Sequence, residues 1–149
     1  MPPRATLVRE VLLACLVVAL VGCGQTGEAT TRIDEAEEEI VALTDEIIAL
    51  MELEVTVAEP LGRRGRCELV TGSPGATNRL SARGPIPDVD DPLGRAAAVL
   101  SRNGYELIDG DRPDEVFGRR EGIRITVAID RPTAQVSVDA STACRALPR

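Results

Sequence analysis

The sequence predicts an α+β fold: an antiparallel β-sheet of about four to six strands, ending in a C-terminal meander, covered by an N-terminal amphipathic helix and a second, shorter helix. Three observations predict it. Apolar residues recur at helical spacing between Ile33 and Met51 and again between Leu93 and Leu100. Strict two-residue alternation runs through Ile123, Ile125, Val127 and Ile129, and resumes through Ala134, Val136, Val138 and Ala140. Gly- and Pro-bearing turns separate these segments closely enough that consecutive strands pair with one another.

The chain opens on residues that are not part of that fold. Arg4 and Arg9 place positive charge ahead of an apolar run from Val11 to Val21, and small Gly22 follows it. This is the order of an export signal. Eleven apolar residues span only ~16 Å as a helix. A hydrocarbon core ~30 Å thick needs more, so a permanent transmembrane helix is disfavoured. Leu20-Val21-Gly22-Cys23 resembles a bacterial lipobox. That resemblance implies cleavage between Gly22 and Cys23 and a diacylglyceryl group on Cys23. Two acyl chains hold a protein stably where one binds only marginally. The competing reading is an ordinary secretory signal cut near Gly22 or Gly24. No twin arginine precedes the run, which points to the general secretory route.

On this reading residues 1–22 are removed, 23–29 form a Gly- and polar-rich tether, and 30–149 form one α+β domain. Thr30 or Thr31 caps an acidic helix over 31–53, with Thr31-x-x-Asp34 approximating a capping box. Ile33, Ile40 and Ile47 repeat every seven residues, as do Ala36, Leu43 and Leu50, which hints at a coiled-coil seam. Val41, Ile48 and Met51 widen the stripe to about 160°, more than a seam needs. Ile40, Leu43, Ile47 and Leu50 are therefore expected to pack on the chain's own sheet, with a homodimer or an envelope protein on that helix as the alternative. Glu35, Glu37, Glu38 and Glu39 read as a solvated face.

Residues 54–65 read as a connector broken by Pro60 and Gly62, with Arg63-Arg64-Gly65-Arg66 a basic turn. A first strand over 66–71 carries Cys67 and Leu69, and Gly72-Ser73-Pro74-Gly75 is a turn. A second strand near 79–83 points Leu80 and Ala82 inward. Asp91 at the cap and Pro92 at the first position start the second helix. Leu93, Ala96, Ala97 and Leu100 form its buried stripe, and Asn103-Gly104 ends it. Strands over 105–108 and 116–120 follow, the latter turning at Glu121-Gly122 into the final two strands, which are joined at Arg131-Pro132.

Composition excludes several function classes. Histidine and tryptophan are absent, and Tyr105 and Phe117 are the only aromatic residues. The commonest general base and the commonest zinc ligand are thus missing, and two rings make no platform for stacked bases or sugars. All 17 basic residues are arginine. Residues 23–59 hold eleven acids against Arg32 alone, whereas 60–149 hold fourteen arginines and twelve acids. A net charge of −7 argues against nucleic-acid binding, and the acidic segment would be repelled by anionic headgroups rather than docked on them. With Cys15 removed and Cys23 acylated, Cys67 and Cys144 remain as an even pair. In an oxidising compartment that pair is expected to form a disulfide.

Catalytic motifs fail on their spacing. Thr71-Gly72-Ser73-Pro74-Gly75 lacks the G-x-S-x-G order of a nucleophile elbow, and no Ser-His-Asp triad exists without histidine. The run from Asp109 to Glu115 alternates carboxylates like a calcium loop, but Pro113 and Asp114 stand where a ligand and a glycine are needed. Asp88, Asp90 and Asp91 are explained by the helix cap. No Walker loop or dinucleotide fingerprint occurs, so neither a cofactor nor a metal is expected.

Cys23 after its apolar run, the 31–53 helix, Cys67 on a strand, Gly104-Tyr105 after the second helix and Cys144 behind a final hairpin together resemble a group of small actinobacterial lipoproteins of unknown function. The arginine-only, Ala- and Gly-rich composition agrees with a high-GC source. The resemblance implies the fold and the disulfide and carries no activity. The expected role is a lipid-anchored, non-catalytic binding or interaction module on the outer face of the cell membrane. Its rival is a carboxylate-dependent envelope hydrolase, which needs two facing carboxylates.

Overall fold

The computed structural model describes residues 31–108 and 112–148. The expected signal segment, Gly22, Cys23, the expected tether over 23–29, Thr30, Asp109 and Asp111 lie outside them. Among the described residues no helix is long and apolar enough to cross a membrane.

The fold is α+β. Two helices, α1 (Ile33–Met51) and α2 (Pro92–Arg102), lie on one face of a six-stranded antiparallel sheet. In chain order the strands are β1 (Val57–Glu59), β2 (Gly65–Glu68), β3 (Pro74–Thr77), β4 (Arg79–Pro85), β5 (Glu106–Ile108), β6 (Glu115–Arg120), β7 (Ile123–Asp130), β8 (Gln135–Thr142) and β9 (Arg145–Ala146). The large sheet has the order β1-β4-β8-β7-β6-β5, and β2-β3-β9 form a separate three-stranded sheet.

The meander explains the layering. Ile123, Ile125 and Val127 on β7 and Val136, Val138 and Ala140 on β8 point to one side, where they are buried with Ile40, Leu43, Ile47 and Met51 of α1. Strand period 2 then sends Arg124, Thr126, Ser137, Asp139 and Ser141 to the other side, which no helix covers. Helix α2 docks on β6 because Gly118 has no side chain: a Cβ there would stand 3.1 Å from Leu100 Cδ1.

Several details depart from expectation. Leu50 is 37% exposed rather than buried, and Val41 is 38% exposed. The buried residues of α1 centre on Ile40, Ile47 and Met51. At 100° per residue Leu50 falls roughly 75° from that axis, beyond the contact edge. The stripe is nearer 100° wide than 160°, so its width did not by itself favour a sheet over a seam. Neither Thr30 nor Thr31 is the cap: the helix starts behind Arg32, whose backbone N–H donates to Glu35 Oε2 at 3.2 Å. Thr31 is engaged elsewhere, by Arg145. On α2, Val99 rather than Ala97 joins Ala96 and Leu100 in the core. Asp91 does cap that helix, accepting from Gly94 N at 2.9 Å.

The connector over 54–65 contains β1, which pairs with β4. The strand of Cys67 ends at Glu68, so Leu69 belongs to the turn, closed by Leu69 N–H donating to Ser73 O at 2.9 Å. Pro74 and Gly75, expected in that turn, begin β3. A proline is tolerated as the first residue of a strand, where its missing N–H breaks no interior ladder.

Cys67 and Cys144 form a disulfide with Cα atoms 5.9 Å apart. The bridge joins β2 to the segment between β8 and β9, passing over β3 at Gly75. A Cβ on Gly75 would stand 2.7 Å from Cys144 Sγ and 2.8 Å from Arg145 O. The glycine is required by close approach, not by its backbone angles.

Candidate functional site

The uncovered face of the large sheet carries the candidate site. Strand pairing sets one row of side chains across it. Arg79 on β4 is opposite Ser141 on β8, Ser141 is opposite Arg124 on β7, Arg124 is opposite Arg119 on β6, and Arg119 is opposite Glu106 on β5. The next row holds Ser81, Asp139, Thr126 and Phe117. The loop around Gly62 and Gly65, together with Thr77 and Asn78, raises a wall at the Arg79 end. The result is a hollow of about 740 Å³ lined by Arg63, Arg79, Phe117, Arg124, Thr126 and Asp139 among others. A second hollow of about 710 Å³ shares Arg124, Ser141 and Thr142 with the first and extends toward Arg119 and Gly122. Together they make one trough along the arginine row.

Arg119 and Arg124 stand directly opposite each other, an arrangement of like charges that weakens a sheet. Glu106 relieves Arg119, accepting from its Nε at 3.0 Å. Arg63, Arg79, Arg83 and Arg124 have no ion-pair partner among the described residues. The Arg124 guanidinium lies over the Phe117 ring, 6.0 Å from its centroid. That face of the ring is therefore occupied by a cation.

The arginines on the helix side are placed differently. Glu37 of α1 takes a two-point contact from Arg64, with Nε to Oε1 at 2.7 Å and Nη2 to Oε2 at 2.6 Å, and a further bond from Asn78 Nδ2 at 2.8 Å. The Arg64 contact holds the Glu37 carboxyl below the ordinary carboxylate range, with Asn78 adding to it. Glu39 accepts from Arg120 at 2.5 Å and from the Tyr105 hydroxyl at 2.6 Å. Glu46 accepts from Arg102 and from Asn103, and Glu52 pairs with Arg95 at 3.3 Å. Glu37 and Glu39, read from the sequence as a solvated face, are instead the ends of a latch between α1 and the rest of the fold.

Arg145 completes that latch. It is fully buried, and burial lowers its pKa below the ordinary arginine value, with Glu39 and Glu121 opposing the shift. Its guanidinium donates to the carbonyl and hydroxyl of Thr31 and to the carbonyl of Glu121. The start of α1 is thereby tied to the β6–β7 turn, next to the Cys67–Cys144 bridge.

Of the residues singled out in the sequence, Cys67 and Cys144 are brought together, while Gly22 and Cys23 lie outside the described residues. No group of three or more potential metal-binding side chains occurs among the described residues. The arginine row went unread, although the signal was present. Glu121 and Gly122 both have positive φ (45° and 76°), the geometry of a two-residue hairpin turn. Counting outward from such a turn places Arg119 opposite Arg124. Compared with protein-family models, curated proteins and solved structures, the chain matches none.

Proposed function

We propose that this chain is a lipid-anchored extracytoplasmic binding module, attached to the outer face of the cell membrane through Cys23, with the open face of its large sheet as the ligand surface. The observation that carries the reading is the trough on that face. Arg63, Arg79 and Arg124 on it are left without an ion pair among the described residues, and Arg119 has Glu106 alone, while Arg64, Arg95, Arg102 and Arg120 on the helix side meet acids of the helical segment. Unpaired like charges in a register row cost stability, and such local violations belong to binding surfaces more than to scaffolds.

The trough also weighs against the hydrolase. Glycoside hydrolysis needs two carboxyl groups facing each other across the scissile bond, roughly 5–9.5 Å apart. Asp139 is the single carboxylate lining the larger hollow; the smaller one has Glu106, which is bonded to Arg119, and Glu121 on the β6–β7 turn. Each hollow thus has one carboxylate without an ion pair rather than two.

The test is fractionation with mass spectrometry of the mature N-terminus. The parent should partition with membranes and begin at an acylated Cys23. Cys23→Ala should appear in the medium or remain as unprocessed precursor. A mature parent chain starting at Gly24 or later without lipid refutes the anchor. Release of product from envelope glycans, abolished by Asp139→Asn, would replace the module with the hydrolase.

A further inference from the structure

We infer that the trough binds a linear polyanion: an extended polymer carrying regularly spaced phosphate or carboxylate groups and no bases. The inference deepens the proposed function. It rests on the open face being the ligand surface and not on the state of Cys23.

The number and spacing of the cations point to a polymer. Arg79, Arg124 and Arg119 lie on one register row. Adjacent strands are ~4.8 Å apart, so the row from β4 to β6 is about 14 Å long. One phosphate or carboxylate cannot reach both ends, whereas successive charges along an extended chain can. Arg63, from the loop around Gly62, lines the same hollow as Arg79 and Arg124. Guanidinium forks suit both phosphate and carboxylate, and every cation here is arginine.

The shape narrows the class further. The site is concave, bordered by the loop at Gly62 to Gly65, a shape that an extended strand of polymer can follow more closely than a flat bilayer can. Thr126 and Ser141 offer hydroxyl groups along it, suited to a polyhydroxy backbone. Phe117 carries Arg124 on one face and Tyr105 is buried, so the trough has no series of rings to stack successive bases, and nucleic acid is a poor occupant. The net charge of −7 does not decide the matter, because a concave site focuses its own local field.

The test uses the full-length chain in mild detergent, titrated by calorimetry at low ionic strength with polyphosphate and with polygalacturonate, and separately with inorganic phosphate. At least one polymer should bind saturably and much more tightly than inorganic phosphate. Affinity should fall with salt as counterions are released. Arg79→Glu and Arg124→Glu should each weaken it about tenfold or more, the loss of a charge-assisted contact, while Arg95→Gln on α2 leaves it unchanged. Arg124→Glu also removes the repulsion with Arg119, so its melting temperature should hold or rise, which separates lost binding from lost folding. The tighter polymer identifies the charged group. Overturning results are no saturable binding of either polymer, equal binding by the charge-reversed variants, or arginine-dependent binding to anionic vesicles alone. None of these touches the acylation result at Cys23, so the two readings fail separately.

Discussion

Tyr105 offers a sharp test of how α1 is held. Its hydroxyl donates to Glu39 Oε1 at 2.6 Å, its side chain is 4% exposed, and the Arg120 guanidinium lies 5.1 Å from its ring centroid. Burial pushes its pKa well above the ordinary phenol value, and the hydrogen bond to Glu39 and that carboxylate's charge push it the same way. In the unfolded chain the phenol ionises near pH ~10. Above that pH the unfolded state binds fewer protons than the native state. Stability should therefore fall as pH rises, by about 1.4 kcal/mol per pH unit for one proton. Between pH 10 and 12 the loss is about 2–3 kcal/mol, a large part of a typical domain's stability. The composition makes this slope assignable, since the chain has one tyrosine, no tryptophan and no lysine. In a Cys15→Ser, Cys23→Ser background, phenolate absorbance and circular dichroism should change together, in one cooperative transition. Tyr105→Phe should abolish the alkaline slope while lowering stability at neutral pH by about 1.5–3 kcal/mol, the value of a hydrogen bond to a charged group. Smooth phenolate formation near pH 10 in a protein whose dichroism is unchanged would refute the buried contact.

Two further outcomes are expected of the scaffold. Ile47→Asp places a carboxylate at a fully buried position between α1 and the sheet, costing several kcal/mol and unfolding a marginal domain; an unchanged melting temperature with altered self-association would show that α1 faces a partner instead. In the denatured, unreduced protein neither Cys67 nor Cys144 should label with a thiol reagent, and Gly75→Val should leave both labelled because its side chain would occupy the path of the bridge; a fully closed bridge in Gly75→Val would overturn that account. The sequence separation of 77 makes the staple worth ~4.5 kcal/mol in the chain-entropy model.

What could be read from the sequence follows from how each element is stabilised. Helices α1 and α2 and strands β7 and β8 carry their own periodicity, long enough to identify them without partners. Strands β1, β3 and β9 are two to four residues long and carry no pattern of their own. Each exists because a neighbour supplies a ladder, and Pro74-Gly75 reads locally as a turn until β2 and β9 are set beside it. The same distinction governs the site. Alternation sets Arg124 apart from the apolar face of its strand, but the row it shares with Ser141, Arg79 and Arg119 is a property of register, which the turns set. The latch was out of reach of local reading, since Glu39 and Arg120 are 81 residues apart and nothing near either one names the other.

The segregation of charge along the chain acquires a structural meaning here. Eleven acids crowd residues 23–59 while most arginines lie beyond them. In the fold, Glu37, Glu39, Glu46 and Glu52 of the helical segment meet Arg64, Arg120, Arg102 and Arg95. Much of the acidic charge is thereby answered by arginines on the helix side of the sheet. Arg63, Arg79, Arg83 and Arg124 face the other way and have no such counterions among the described residues. The acids of the helical segment are taken up by Arg64, Arg120, Arg102 and Arg95, and none of them pairs with these four. Buried Arg145 adds the last constraint, tying Thr31 to the β6–β7 turn at the Arg119 end of the trough. From Cys23 to Thr31 the chain can reach at most about 28 Å. On the proposed anchor, the arginine row would stand close above the membrane, where an anionic envelope polymer could be held without the protein leaving its lipid.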